Sequence, residues 1–310
     1  MNTDSWKNIA GIFGAAAIVA TLLTIMVAKV SAQESMPSAG QRVVLVTGST
    51  GGLGRETARA LARRGDHVIV HGRNVERGEA LVAEITAGGK GSARFYRADF
   101  GSLHDIRNLG TAILRDYDRL DVLVNNAGIY LPNSVERRLS DDGYELNFQI
   151  NYLAGYVLTK MLIPLLEASA PAQIINVASA GQAPLDFDNL MLESGYEGGR
   201  AYAQSKLAQI MMTFSLADSL SILGITINAL HPSTYMNTDM VLEAGIKPRS
   251  SIETGRDALL QLIDDEGSTG KYFSVFEEAR PLPQAYDVAA VARLMTVSDD
   301  LVSEKGSDNN

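Results

Sequence analysis

Short β-branched runs alternate with helical stretches along most of this chain, and the first junction between them is packed with glycine. Val43–Val46 is followed by Thr47-Gly48-Ser49-Thr50-Gly51-Gly52-Leu53-Gly54, and then by helical periodicity over residues 54–64. Further short runs at 68–70, 94–97, 122–124, 174–177 and 225–230 are separated by helical stretches such as 78–86 and 144–166. Strands spaced by helices pair in parallel and carry helices on both faces of the sheet. The fold class is therefore α/β, one doubly wound domain over residues 41–299. In the longest helical stretch Leu146, Ile150, Leu153 and Val157 recur at helical spacing, and Pro164 is expected to end or kink it.

The position of the glycines gives them meaning. At the end of a first strand and the start of a first helix they permit positive φ angles. They also let backbone N–H groups approach a pyrophosphate, which the helix N-terminus attracts. A dinucleotide is the ligand such a turn takes. The end of the second strand reads Val70-His71-Gly72-Arg73. It offers no carboxylate for a free ribose 2′-hydroxyl, and Arg73 suits a 2′-phosphate. NADP is the expected cofactor, with NAD as the alternative.

Composition removes other classes. Apolar residues make up 46% of the 310 and charged residues 20%, as in a globular chain. The net charge of −9 makes a poor partner for nucleic acid. With no cysteine there are no disulfides, thiolate metal sites or cysteine nucleophiles. His67, His71, His104 and His231 lack metal-ligand spacing, so no metal is expected.

The two ends differ from the middle. Residues 9–28 contain no charge, and at ~1.5 Å per residue they cover about 30 Å, enough to cross a bilayer once. Such a run exceeds the roughly 7–15 residues of a signal-peptide core. Residues 1–40 are therefore read as a single-pass anchor and linker. The domain is then expected on the cytoplasmic side, where NADP(H) circulates. Val30-Ser31-Ala32 resembles a cleavage site and supplies the alternative, a secreted or periplasmic protein. The polar, acidic tail from residue 298 is expected to be disordered, with the domain closing at 299 and residues 300–310 beyond it.

Tyr202-Ala203-Gln204-Ser205-Lys206 places a phenol and an ammonium one helical turn apart. A cation beside a phenol lowers its pKa from about 10, so the pair can pass a proton to or from an alcohol oxygen. A second pair, Tyr156 and Lys160, has the same spacing. Tyr202 is preferred because Ser179 stands at the end of the strand over 174–177, the edge where ligands bind, and can hold the same oxygen. Tyr156 has no such serine before it and is read as packing or surface.

In this order the residues resemble the short-chain dehydrogenase/reductases over residues 42–299. The resemblance rests on 47–54, Asp99, Asn125-Asn126-Ala127-Gly128 after a short strand, Asn151, Ser179 and the Tyr202/Lys206 pair. It implies a Rossmann fold and a catalytic set of Asn151, Ser179, Tyr202 and Lys206. In that set Tyr202 is the general acid–base and Ser179 positions the carbonyl. Lys206 holds the nicotinamide ribose and tunes Tyr202, and Asn151 orders a water leading to Lys206. It also implies a cofactor site of Gly48, Ser49, Gly52, Leu53, Gly54, Arg73, Asp99 (at the adenine), Phe100, Asn126, Ala127, Gly128, Tyr202, Lys206 and Pro232. Homo-oligomers built on the long helices are common in the family and are implied here. The Gly72-Arg73-Asn74 turn and Thr269-Gly270-Lys271-Tyr272-Phe273 resemble the retinol-dehydrogenase-like branch. Two features depart from the family: Pro232 is followed by Ser233 instead of glycine, and Thr238 falls one residue late. The implied activity is alcohol–carbonyl interconversion on a small, apolar substrate. Reduction of an activated C=C bond and a non-catalytic dinucleotide sensor remain as rival readings.

Overall fold

In a computed structural model, which describes residues 36–303, β1 (Val43–Val46) lies inside a sheet of eight strands. The others are β2 (His67–Gly72), β3 (Ser92–Arg97), β4 (Val122–Asn125), β5 (Ala172–Val177), β6 (Ile225–His231), β7 (Lys271–Ser274) and β8 (Glu277–Glu278). Their order is β3-β2-β1-β4-β5-β6-β7-β8. The first seven run parallel, and β8 pairs with β7 antiparallel. The sheet is therefore mostly parallel, and the short antiparallel edge strand departs from the all-parallel expectation.

The alternation of β1 sorts the helices into two layers. Val44 and Val46 face α1 (Gly52–Arg64), α2 (Val75–Gly88) and α7 (Ile252–Ile263). Val43 and Leu45 face α3 (Leu103–Asp116) and α4 (Ala154–Ala168). A strand covered on both sides can be apolar at every position, which is why Val43–Val46 shows no period-two pattern. α5 (Gly198–Ile222) packs on β6 and is covered outside by α8 (Val288–Val302). Between β6 and α7 stands α6 (Asp239–Glu243). Gly65, with φ +104, closes α1, and the side chains of Asn74 and Ser102 cap the starts of α2 and α3.

Three expectations are corrected. The helical stretch over 144–166 is a π-helical segment, Phe148–Leu153, continuing into α4. The wider π turn inserts a residue without breaking the apolar repeat, so periodicity reads one helix. Pro164 does not end the helix, since α4 runs on to Ala168. Residues 298–302, expected in the tail, belong to α8, while residues 304–310 lie outside the described residues. Ser298 is buried and shares a hydrogen bond of 2.7 Å with the Tyr152 hydroxyl. Tyr144 Oη donates to the Leu301 carbonyl at 2.7 Å. Asp299 accepts from Tyr156 Oη at 2.6 Å and pairs with Lys160.

The chain enters the domain at the N-terminal ends of the strands, where the Gln41 side chain bonds the Gly65 carbonyl and the Ser92 hydroxyl. The expected anchor over residues 9–28 lies outside the described residues. Among the described residues no helix is long and apolar enough to cross a membrane.

α8 is fixed chiefly through Leu294, which is 0% exposed. Leu294→Ala is expected to cost about 2–5 kcal/mol, read as a lower urea midpoint with faster hydrogen exchange in α8.

Candidate active site

β1 is where the sheet order reverses, since β2 lies on one side and β4 on the other. The loops leaving the C-terminal ends of β1 and β4 therefore diverge and leave a crevice. Thr47 fixes its width. Its hydroxyl donates to the Val124 carbonyl at 3.2 Å and accepts from the Asn126 and Ala127 amides at 2.9 and 3.0 Å. Asn126 returns a bond from Nδ2 to the Thr47 carbonyl at 2.8 Å.

Gly48 sits inside that tie with φ +66, and a Cβ there would lie 2.8 Å from Ala127 Cα. A Cβ on Gly54 would meet both Asn126 Nδ2 and the Gly48 carbonyl at 2.6 Å. The turn thus brings bare backbone to the mouth of α1, whose first turn carries no acidic residue. These residues fit an anionic group: bare backbone at the positive end of a helix.

His71 was not assigned a role from the sequence, and it supports this turn. Its Nδ1 accepts from the Gly48 amide at 3.1 Å, and Nε2 faces the Ala98 carbonyl at 3.3 Å. Burial pushes its pKa down to about 4, so it stays neutral and keeps Nδ1 free to accept. Its ring stacks on Phe100 at 4.3 Å. Phe100 is consequently a core side chain, with only its backbone available to a ligand. Ser49 is similarly committed, its hydroxyl accepting from the His71 amide at 3.0 Å. Leu53 and Pro232 are buried beside the turn, while Gly52 touches the later loop, its Cβ position 3.6 Å from the Thr238 methyl.

Arg73 is exposed beside Asp99, 3.6 Å away. Arg77, one turn into α2, joins it: its guanidinium reaches within 4.0 Å of the Gly51 Cβ position and 3.8 Å of Asp239. The spacing of Arg77 from Arg73 carried this signal in the sequence.

The proposed catalytic side chains lie along the same edge. Gly128 marks their junction, since a Cβ there would stand 3.1 Å from Asn151 Oδ1 and 3.6 Å from Lys206 Nζ. Asn151 lies in the π-helical segment, a form common at functional sites. Its Oδ1 accepts from the Ile129 amide, and its Nδ2 donates to the Ile129 carbonyl and to Ser205 Oγ. One lone pair of Oδ1 remains for a water.

Tyr202 stacks obliquely on Tyr130 at 4.5 Å and lies 5.7 Å, ring centroid to Nζ, from Lys206. Burial pushes its phenol up to about 12, opposed by a hydrogen bond with Ser179. Lys206 Nζ donates to the Val177 carbonyl at 2.8 Å and to Gln209 Oε1 at 2.9 Å, and burial pulls its pKa down to about 7. Ser179 is held from behind, where Tyr272 Oη and Gln182 Nε2 both donate to its carbonyl. Tyr156, by contrast, is a core residue whose hydroxyl meets Asp299.

Residues 42–247 match the family described as short chain dehydrogenase. Human retinol dehydrogenase 13 is 33% identical over 284 residues, covering 84% of each chain. Human retinol dehydrogenase 14 is 31% identical over 292 residues, covering 84% of this chain and 86% of that one. Among solved structures, Pseudomonas aeruginosa RhlG with NADP superposes with a TM-score of 0.63 at 26% identity, over 77% of this chain and 96% of that one. A Burkholderia cenocepacia short chain dehydrogenase in complex with NADP gives 0.63 at 27% identity, over 76% and 96%.

The depressed pKa of His71 makes stability pH-dependent. An unfolded histidine takes a proton near pH 6.5, whereas the folded one resists until about 4. Stability is thus complete above the higher value and falls as pH drops through the lower one, because the unfolded chain binds more protons between them. His67 and His231 behave alike, each pushed by burial down to about 4. His71→Asn keeps an acceptor for Gly48 and removes one titrating group. It is expected to bind NADPH normally at pH 7 and to lose less stability than wild type between pH 7 and 5, read from urea midpoints.

Proposed function

The chain belongs to the short-chain dehydrogenase family, and from that premise we propose that it is an NADP(H)-preferring enzyme interconverting an alcohol and a carbonyl, with Tyr202 as the general acid–base. The observation that carries this reading is the convergence of three side chains at the strand edge beside the glycine turn: the Lys206 ammonium lies 5.7 Å from the Tyr202 ring, and Ser179 Oγ and that ring stand 3.5 and 4.0 Å from the Gly181 Cβ position.

The dinucleotide supplies hydride donation or acceptance when bound. The protein manages the proton and the geometry. With its phenol held near 12, Tyr202 is protonated at neutral pH, the form that gives a proton to a carbonyl oxygen being reduced. The Ser179 hydroxyl holds that oxygen against Tyr202. The Lys206 ammonium offsets the charge left on the phenolate and holds the nicotinamide ribose. Asn151 keeps a water within reach of Lys206. In the oxidative direction the same groups work in reverse, Tyr202 taking the proton from the alcohol.

NADP preference rests on Arg73 and Arg77, two exposed guanidiniums flanking the turn, whose charge suits a 2′-phosphate. Gly48, Gly52 and Gly54 line the pyrophosphate path. Asp99 faces the adenine side, and Asn126, Ala127 and Gly128 form the opposite wall. Pro232 opens the loop over the nicotinamide. The substrate is an apolar alcohol or aldehyde of the kind named by the retinol dehydrogenases. The aromatic rings of Tyr130 and Tyr235 beside Tyr202 support it. The uncharged run over residues 9–28 supports a single-pass anchor with the domain in the cytoplasm.

The test follows NADPH and NADH consumption by the full-length protein against a panel of aldehydes and ketones that includes retinal. Tyr202→Phe is expected to lower kcat by about 10²–10⁴ while NADPH still binds. Arg73→Ala and Arg77→Ala are each expected to weaken NADPH by about tenfold and to leave NADH nearly unchanged. Equal losses for the two cofactors would refute the assignment of the 2′-phosphate.

A further inference from the structure

Lys206 is 4% exposed, yet among the described residues no carboxylate balances it. A buried ammonium keeps its charge only where acceptors surround it. The described residues supply two: the Val177 carbonyl at the end of β5, and Oε1 of Gln209, one turn further along α5. Gln209 is 2% exposed and is itself fixed. Its carbonyl accepts from Thr213 Oγ1 at 2.9 Å, and Thr213 Oγ1 accepts from Asn176 Nδ2 at 2.8 Å. Asn176 Oδ1 in turn accepts from Asn125 Nδ2 at 2.9 Å. The turn of α5 that carries Gln209 is thereby tied through the core to β5 and β4. Asn151 Oδ1, the acceptor on the other side of Gly128, takes its hydrogen bond from the Ile129 amide and not from Nζ. The side of Nζ left open is the one toward Gly128 and the crevice.

We propose that Gln209 is the positioning residue for Lys206: its amide oxygen, with the Val177 carbonyl, keeps the ammonium charged and aimed at the cofactor crevice beside Gly128. The inference rests on the role given above to Lys206 at the nicotinamide ribose. The choice of a neutral acceptor has a physical reason. A carboxylate at 209 would hold the ammonium more firmly but cancel the positive charge that Tyr202 needs. A hydrocarbon would leave one acceptor and tip Lys206 toward the neutral amine. An amide oxygen does neither. The titratable groups facing this place are Tyr202 on α5, Tyr130 after β4, Tyr235 after β6 and Tyr272 on β7. All are phenols, and burial alone shifts Lys206.

The experiment titrates NADPH binding to the full-length protein by nicotinamide fluorescence, from about pH 5.5 to 9. Lys206→Met is run first, because its profile isolates the contribution of the cofactor's own 2′-phosphate. The inflection missing from that variant belongs to Lys206. In Gln209→Met the inflection is expected to move to lower pH, with NADPH bound roughly three- to tenfold more weakly at pH 7. In Gln209→Glu it is expected to move to higher pH, with affinity at pH 7 retained. A packing role alone would not shift the two variants in opposite directions. An inflection unmoved in both, or moved the same way in both, overturns the inference while leaving the role of Lys206 intact. If Lys206→Met changes neither affinity nor pH dependence, the role of Lys206 fails and the inference fails with it. Should Gln209→Met not fold, the Gln209→Glu profile decides alone: an upward shift supports the inference and no shift overturns it.

Discussion

The Thr47 hydroxyl touches three backbone groups at the ends of β1 and β4, and the spacing of the whole crevice follows from it. On one side it fixes the start of the glycine turn that leads into α1. On the other it fixes Asn126 and Ala127, and through them Gly128, against which Asn151 and Lys206 are placed. The two walls that a dinucleotide must bridge are therefore set by one uncharged side chain. The turn can follow that closely only because Gly48 takes a positive φ where any side chain would strike Ala127. His71 then holds the Gly48 amide from below, with no charge introduced under the phosphate path.

The two Tyr–Lys pairs show how environment separates identical spacings. Lys160 and Tyr156 share Asp299, whose carboxylate neutralises the lysine and, together with burial, pushes the phenol far up. That pair joins α4 to α8 and has no capacity left for proton transfer. Lys206 has only neutral acceptors, and Tyr202 has Ser179. The charge of Lys206 is thus available to a phenolate, and the phenol is available to a ligand. Spacing alone cannot tell these cases apart; the strand-end serine could, because it is a local sequence signal at the edge where ligands bind.

Much of this was readable in advance for a related reason. β1 and its glycine turn, the arginine after β2, Ser179 and the Tyr202 pair all announce themselves within a few residues. α3 also has its signals, a Ser102 cap and apolar residues at 103, 106, 109 and 113. The π turn at Asn151 was invisible, because one inserted residue preserves the apolar repeat on either side. β8 is two residues long and has no pattern to read. The parts of the site that escaped are those joined by distance in sequence: His71 to Gly48, Gln209 to the core ladder ending at Asn125, and Thr238 to Gly52. Each is a polar or small residue whose role exists only once its partner has been brought to it.

The end of α8, from Ser298, reads as a tail because it is polar and acidic, and in the whole helix only Leu294 and Ser298 are fully covered. Its inner face nonetheless closes the cluster formed by Phe148, Tyr152, Tyr156 and the middle of α5. The segment that supplies this cover leaves the ribosome after every other described element of the domain. Until it emerges, the helices carrying Asn151, Tyr202 and Lys206 present their apolar backs to the surroundings, the condition in which nascent chains associate wrongly. Completion of the catalytic layer therefore waits for the last described element of the domain, and a domain without α8 would lack that cover.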